Sequence, residues 1–109
     1  MTRENLGEFE ELVLLAALRL GEDAYGLSIS EEIAAITGRS VARASVYVAL
    51  RRMEQKGLIT THHERAEEAA GKPRRLVKVE PAALGLLRRS RRSLLRMWDG
   101  LEYVLEEGR

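Results

Sequence analysis

The stretch from Ser40 to Ile59 constrains this chain most, because only one of its sides can be buried. Val46, Leu50 and Met53, with the small Ala49 beside them, recur at the 3.6-residue spacing that gathers side chains on one helix face. At about 100° per residue, the far side carries Ala44, Val48, Arg51 and Gln55, flanked by Tyr47 and Arg52. Gly57 stands where a left-handed residue stops a helix, Lys56 occupies the last turn, and Leu58-Ile59-Thr60-Thr61 reads as a strand. A narrow cationic surface with an aromatic flank suits the major groove of DNA, whereas the plainer alternative is a surface helix with solvated arginines.

The formal net charge of +1 hides a strong polarity along the chain. Residues 1–38 hold 2 basic and 8 acidic groups, 39–96 hold 15 and 5, and 97–109 hold 1 and 4, giving −6, +10 and −3. The middle section attracts a polyanion while the ends keep the molecule soluble. At 109 residues one domain is expected, and the lack of cysteine removes disulfides, thiolate zinc sites and thiol nucleophiles together. The longest apolar run, Leu12 to Leu18, is too short to span a bilayer, and Met1-Thr2-Arg3-Glu4 has no signal-peptide pattern, so a soluble cytoplasmic protein is expected.

Around that helix the remaining elements fall into order. Leu6 to Leu20 is apolar over much of a helical circumference, with Glu8, Glu10 and Glu11 at its dipole-favoured start and Gly21-Glu22-Asp23 at its end. A second helix follows Tyr25-Gly26. Ser28 or Ser30 can cap it, Ser28 to Glu31 has capping-box spacing, and Leu27, Ile29, Ile33 and Ile36 form its apolar side. Thr37-Gly38-Arg39 closes it, so two short helices meet through a tight glycine-containing link in a helix-turn-helix pattern. Leu58 to Glu64 and Arg75 to Val79 are strands joined by the polar loop Arg65 to Arg74, making a hairpin with Lys72, Arg74 and Arg75 at or near its tip.

Pro81 occupies the first position of a last, long helix. Leu84, Leu87, Arg91, Leu94, Trp98, Leu101 and Leu105 step by 3 and 4 in a heptad seam interrupted only by Arg91, and Leu95, Met97 and Val104 widen the apolar surface. A second copy of the chain is the most economical cover for it. The fold class expected is mainly α with a small β-hairpin: a winged helix-turn-helix over residues 1–80 and a C-terminal dimerisation helix over 81–109, as one structural unit.

These residues resemble the PadR family of bacterial transcriptional regulators, in its short form with one helix after the winged domain. The resemblance rests on Leu12 to Leu20, Tyr25-Gly26, Ser45-Val46-Tyr47 with Leu50, Met53 and Gly57-Leu58-Ile59, and Arg74 to Val79 with Pro81. It implies a homodimer, usually a repressor, whose third helices read a two-fold symmetric operator. It also implies that Tyr47 and the start of that helix touch DNA and that the wing meets the flanking backbone. Ala42 and Ala44 stand where the family pattern has serine and glycine, which removes an N-cap side chain. Glu80 and Ala83 replace its threonine and glycine, and none of the four is expected in the core.

The DNA-binding residues expected are therefore Arg43, Ser45, Tyr47, Val48, Arg51 and Arg52 on the helix, and Lys72, Arg74 and Arg75 on the wing. Arg51 and Arg52 suit guanine edges, while Ser45, Tyr47 and amides near the helix start suit phosphates. The plainer alternatives, which the resemblance disfavours, are a core tyrosine bordering Leu50 for Tyr47 and a solvated turn for the wing cations. Leu87, Arg91, Leu94, Trp98, Leu101 and Leu105 are expected at a dimer interface. Trp98 is either core or the wall of a space for a planar inducer. Arg88-Arg89-Ser90-Arg91-Arg92 spreads around most of a helix, and a partly solvated face near a partner's acidic first helix suits it as well as nucleic acid does. No cofactor is expected, and no metal either: His62 and His63 point to opposite faces of a strand without a third ligand. Catalytic motifs are missing, and the pairs Glu67-Glu68 and Glu106-Glu107 lie where nothing desolvates them, so an enzyme is not expected. The rival reading is a winged-helix protein-interaction module that dimerises without binding DNA, but such a surface has no need of cations on both helix and wing.

Overall fold

A computed structural model describes residues 6–64 and 74–107. In chain order they form α1 (Glu8–Leu20), a short 3₁₀ turn (Gly21–Asp23), α2 (Gly26–Thr37), α3 (Arg43–Gln55), β1 (Ile59–His63), β2 (Arg75–Val79), α4 (Pro81–Trp98) and α5 (Glu102–Glu107). The fold is the mostly helical winged helix expected. Val13 and Leu14 of α1, Ile29 of α2, Val46 and Met53 of α3 and Ile59 of β1 are fully buried in one core. Each such side chain is worth roughly 1.5–3 kcal/mol of burial, which is what fixes α3 against the other helices.

The ends of α3 follow from its sequence. Ala42 precedes it in an extended conformation with no side-chain cap. At the other end the Leu58 amide donates to the Met53 carbonyl (2.9 Å) and the Gly57 amide to that of Glu54 (3.1 Å), with Gly57 at φ 77°. This Schellman motif also brings buried Leu58 over buried Met53. Leu58 thereby belongs to the helix stop, and β1 begins one residue later than expected.

The hairpin is antiparallel, with Ile59 opposite Val79 and His63 opposite Arg75. Its inner strand is tied to the 3₁₀ turn by the Val77 amide, which donates to the Ala24 carbonyl at 2.8 Å. Ile59 and Val77 enter the core while Thr60, His62, His63, Arg75 and Lys78 stay exposed.

Three expectations require correction. Ser28 lies at the third position of α2 rather than at its cap: its hydroxyl accepts from the Tyr25 amide (3.0 Å) and donates to the Asp23 carbonyl (2.7 Å), while Ser30 bonds back to Leu27 within the helix. The serine satisfies an orphan N-terminal donor from inside the first turn, so no Ser28–Glu31 box forms. Ala83, the third residue of α4, is fully buried in the core, contrary to its expected position outside it; its small side chain fits there where a larger one would not be accommodated without repacking. Lastly, the heptad seam does not run through one helix. Asp99 ends α4 and Gly100 adopts φ 84°, so Leu101 lies in the break and Leu105 on α5. Glycine costs about 1 kcal/mol relative to alanine inside a helix and adopts the left-handed conformation without strain, which makes Gly100 the natural place to break.

Candidate nucleic-acid interface

The burial of Val46, Ala49, Leu50 and Met53 leaves the other side of α3 exposed. Arg43, Ala44, Ser45, Tyr47, Val48, Arg51 and Arg52 all lie there. Among the described residues, Arg43, Arg51 and Arg52 have no ion-pair partner. Lys56, by contrast, reaches back to buried Glu10 of α1 at 3.9 Å. The amides of Arg43 and Ala44 sit in the first helical turn with no side-chain cap, the position from which helix N-termini donate to anions.

Tyr47 is 46 % exposed and is not a core residue. Its ring lies on Gly26, so closely that a Cβ there would fall 2.5 Å from Cε1 and 2.8 Å from the hydroxyl. The Tyr25-Gly26 pair therefore has a physical meaning that the sequence did not disclose: the missing side chain is the seat of the tyrosine. Beside that seat, a cleft of about 290 Å³ separates α3 from the hairpin. Arg51 borders it from the helix and Arg75 from β2, with Glu54 between them. Glu54 accepts from the Thr61 hydroxyl (2.8 Å) and lies 3.9 Å from Arg75, which also approaches His63 at 3.3 Å.

Arg74 is placed differently from its neighbour. Its Nε donates to both carboxylate oxygens of Glu64 at 3.1 and 3.2 Å, its Nη2 joins Glu64 Oε1, and its guanidinium lies 4.6 Å over the Tyr25 ring. The Arg74 hydrogen bonds hold the Glu64 carboxyl below the usual carboxylate range. Glu64, and Tyr25 after it, raise Arg74 in return. Tyr25 and Glu64 were not foreseen as partners, and no spacing rule links residues so far apart in sequence. Lys72, the other wing cation expected, lies outside the described residues.

On α4, Leu87 is half-buried against the core, and every residue from Arg91 to Gly100 is exposed. Leu94, Leu95, Met97, Trp98, Leu101, Tyr103, Val104 and Leu105 together leave a broad uncovered apolar surface. Arg88, Arg91, Arg92 and Arg96 border one groove with Leu95 and Asp99, a tighter stripe than the run of arginines suggested. Among the described residues, no group of three or more His, Asp or Glu side chains is arranged to hold a metal ion, and no helix is long and apolar enough to cross a membrane.

A buried three-helix core, a paired hairpin packed beside the third helix and a free cationic helix face define a winged helix-turn-helix protein. Residues 14–82 match the profile of the transcriptional regulator PadR-like family, and the chain belongs to that family. Solved structures with the same fold include a PadR family transcriptional regulator from Eggerthella lenta, with 23% identity, TM-score 0.66 and coverage of 87% of this chain and 80% of that one. Another is a PadR family regulator from Clostridium difficile, with 19% identity, TM-score 0.66 and coverage of 91% and 96%. BpsR of Bordetella bronchiseptica, whose DNA binding is regulated by 6-hydroxynicotinic acid, aligns with 17% identity and TM-score 0.64 over 98% of this chain and 82% of its own. A search among curated proteins finds no match.

Proposed function

We propose that this PadR-like regulator is a cytoplasmic, homodimeric repressor that binds double-stranded DNA at a two-fold symmetric operator. The observation that carries this reading is α3, whose Arg43, Arg51 and Arg52, without ion-pair partners among the described residues, and exposed Ser45, Tyr47 and Val48 stand on a buried scaffold. In the major groove, Arg51 and Arg52 read base edges and Val48 meets a thymine methyl. Ser45, Tyr47 and the first-turn amides hold phosphates. Arg75, and Lys72 beyond the described residues, approach the flanking backbone. The second copy covers Arg91, Leu94, Trp98, Leu101 and Leu105, since a single chain leaves them exposed to water.

The same apolar surface supports a planar inducer beside Trp98, which is 42% exposed. The regulation of BpsR by a planar aromatic acid is in keeping with this. Titrating Trp98 fluorescence with planar aromatic acids tests the inducer, and a flat response across a broad set leaves Trp98 as interface packing.

Selection of bound sites from a random DNA pool tests the function as a whole. A two-fold symmetric motif is expected. No enrichment, together with no retention on heparin at low salt, would favour the interaction module that does not bind DNA.

A further inference from the structure

The end of the hairpin nearest its connecting loop, where the ladder stops, is held by side chains as well as by strand pairing. Beyond the His63–Arg75 pair, the Glu64 amide donates to the Arg74 carbonyl at 2.8 Å, and the two side chains then join through the bidentate ion pair. The Glu64 side chain is only 7% exposed, and among the described residues Arg74 is its one side-chain partner. The Arg74 side chain is 41% exposed while that of Glu64 is nearly covered, so an Arg74 that turned to a phosphate would leave a largely covered carboxylate without its counter-charge. On its other side the guanidinium lies over Tyr25, the residue that precedes α2 in extended conformation. Tyr25 in turn adjoins Gly26, on which Tyr47 rests.

We infer that Tyr25, Glu64 and Arg74 form a clamp that fixes the hairpin against the start of α2, and that Arg74 is a positioning residue for the DNA interface rather than a phosphate contact. The inference rests on the DNA-binding reading above. Through Tyr25 and Gly26 the clamp ties the hairpin to the seat of Tyr47, so the wing and the recognition helix are set by one arrangement. The planar fork of arginine serves this role because it pairs both carboxylate oxygens and still presents a face to the ring, which a lysine cannot do.

The two roles for Arg74 predict opposite signs for Glu64→Gln. If Arg74 contacts phosphate, removing the carboxylate frees its charge and tightens DNA binding; if it clamps, binding weakens. The experiment compares the full chain with Glu64→Gln, Arg74→Met and Arg74→Lys, by backbone amide exchange without DNA and by salt-dependent binding to a duplex selected by the unaltered protein. Expected are roughly tenfold or faster exchange at the Glu64 and Val77 amides in all three, with α1 unchanged. Binding should weaken several-fold in all three, with the slope of log affinity against log salt unaltered. Lysine, which satisfies a phosphate, should not rescue. Tighter binding by Glu64→Gln, rescue by Arg74→Lys, or a slope about one unit per subunit shallower in Arg74→Met would overturn the clamp. Unchanged exchange would overturn it as well. Should the unaltered protein bind no DNA, the DNA reading fails by itself, while the exchange measurement still decides whether the clamp exists.

Discussion

A Cβ on Gly26 would meet Cε1, Cζ and Oη of Tyr47 at 2.5, 2.6 and 2.8 Å. Gly26 is in the first turn of α2 and has no positive φ, so alanine there is conformationally allowed. The clash is with the far end of a side chain that can swing away. Gly26→Ala should therefore keep the fold and its melting temperature within a few degrees, yet weaken DNA binding as much as Tyr47→Ala does. Thermal unfolding and binding measured side by side decide this; full affinity in Gly26→Ala would mean that the tyrosine's seat does not matter. Arg51 has no such dependence, being exposed and, among the described residues, without an ion-pair partner. Arg51→Ala should cost about 1–3 kcal/mol at one position of each half-site if it reads a base, whereas equal loss on random DNA makes it a phosphate contact. Glu64 adds a pH dependence. Its folded value lies below the ordinary 4.5, so its stabilising share is complete above that pH and disappears as pH falls through the folded value. The melting-temperature gap between the unaltered protein and Glu64→Gln should hold near neutrality and close as the pH falls below 4.5 and through the lowered folded value. A gap independent of pH would contradict the pairing.

Among the elements, α3 and β2 were legible from apolar spacing, while the start of α2 and the end of α4 turned on single residues, Ser28 and Gly100, that such spacing does not register. Gly57 and the spacing of Val46, Leu50 and Met53 identified α3, and alternation in Arg75 to Val79 identified β2 with its observed bounds. The start of α2 was misplaced because Ser28 caps from its third position, a choice set by the Asp23 carbonyl it also reaches. The end of α4 was misplaced because a 3–4 repeat of leucines outweighed Asp99-Gly100 in the reading, although Gly100 alone is a sufficient stop. Within the candidate site, exposure of the α3 face followed from periodicity. The Gly26–Tyr47 seat and the Tyr25–Arg74 stack are contacts between elements distant in sequence, which no single-chain pattern encodes. The Schellman stop supplies its own test. A Cβ on Gly57 meets nothing within 4 Å, so Gly57→Ala isolates the φ 77° conformation. It should lower stability by about 1–2 kcal/mol in denaturant titration. No change would mean that the turn between α3 and β1 adapts freely.

At the scale of the whole molecule, the winged domain has its core covered within one chain, whereas the C-terminal helices leave an apolar surface exposed. The Cα radius of gyration is 16.1 Å, above the about 13 Å of a compact chain of this length, in keeping with α4 running on past the core. The core is complete in one chain, while Leu94 is 54% exposed and Leu101 also stands clear of it. Aspartate at both positions should accordingly spare the winged domain and act on the interface between copies. Two-fold symmetry doubles each loss, and each large apolar side chain covered by the partner is worth roughly 1.5–3 kcal/mol. A charge buried in its place adds a desolvation cost that a small interface cannot absorb. The resulting monomer would insert one α3 and forgo the second half-site about 34 Å away. Leu94→Asp with Leu101→Asp should therefore sediment as a folded monomer, keep the helical signal of the winged domain, and bind the operator no better than a half-site. A dimer of full affinity would place the subunit contact elsewhere, and the surface of α4 and α5 would then need another partner.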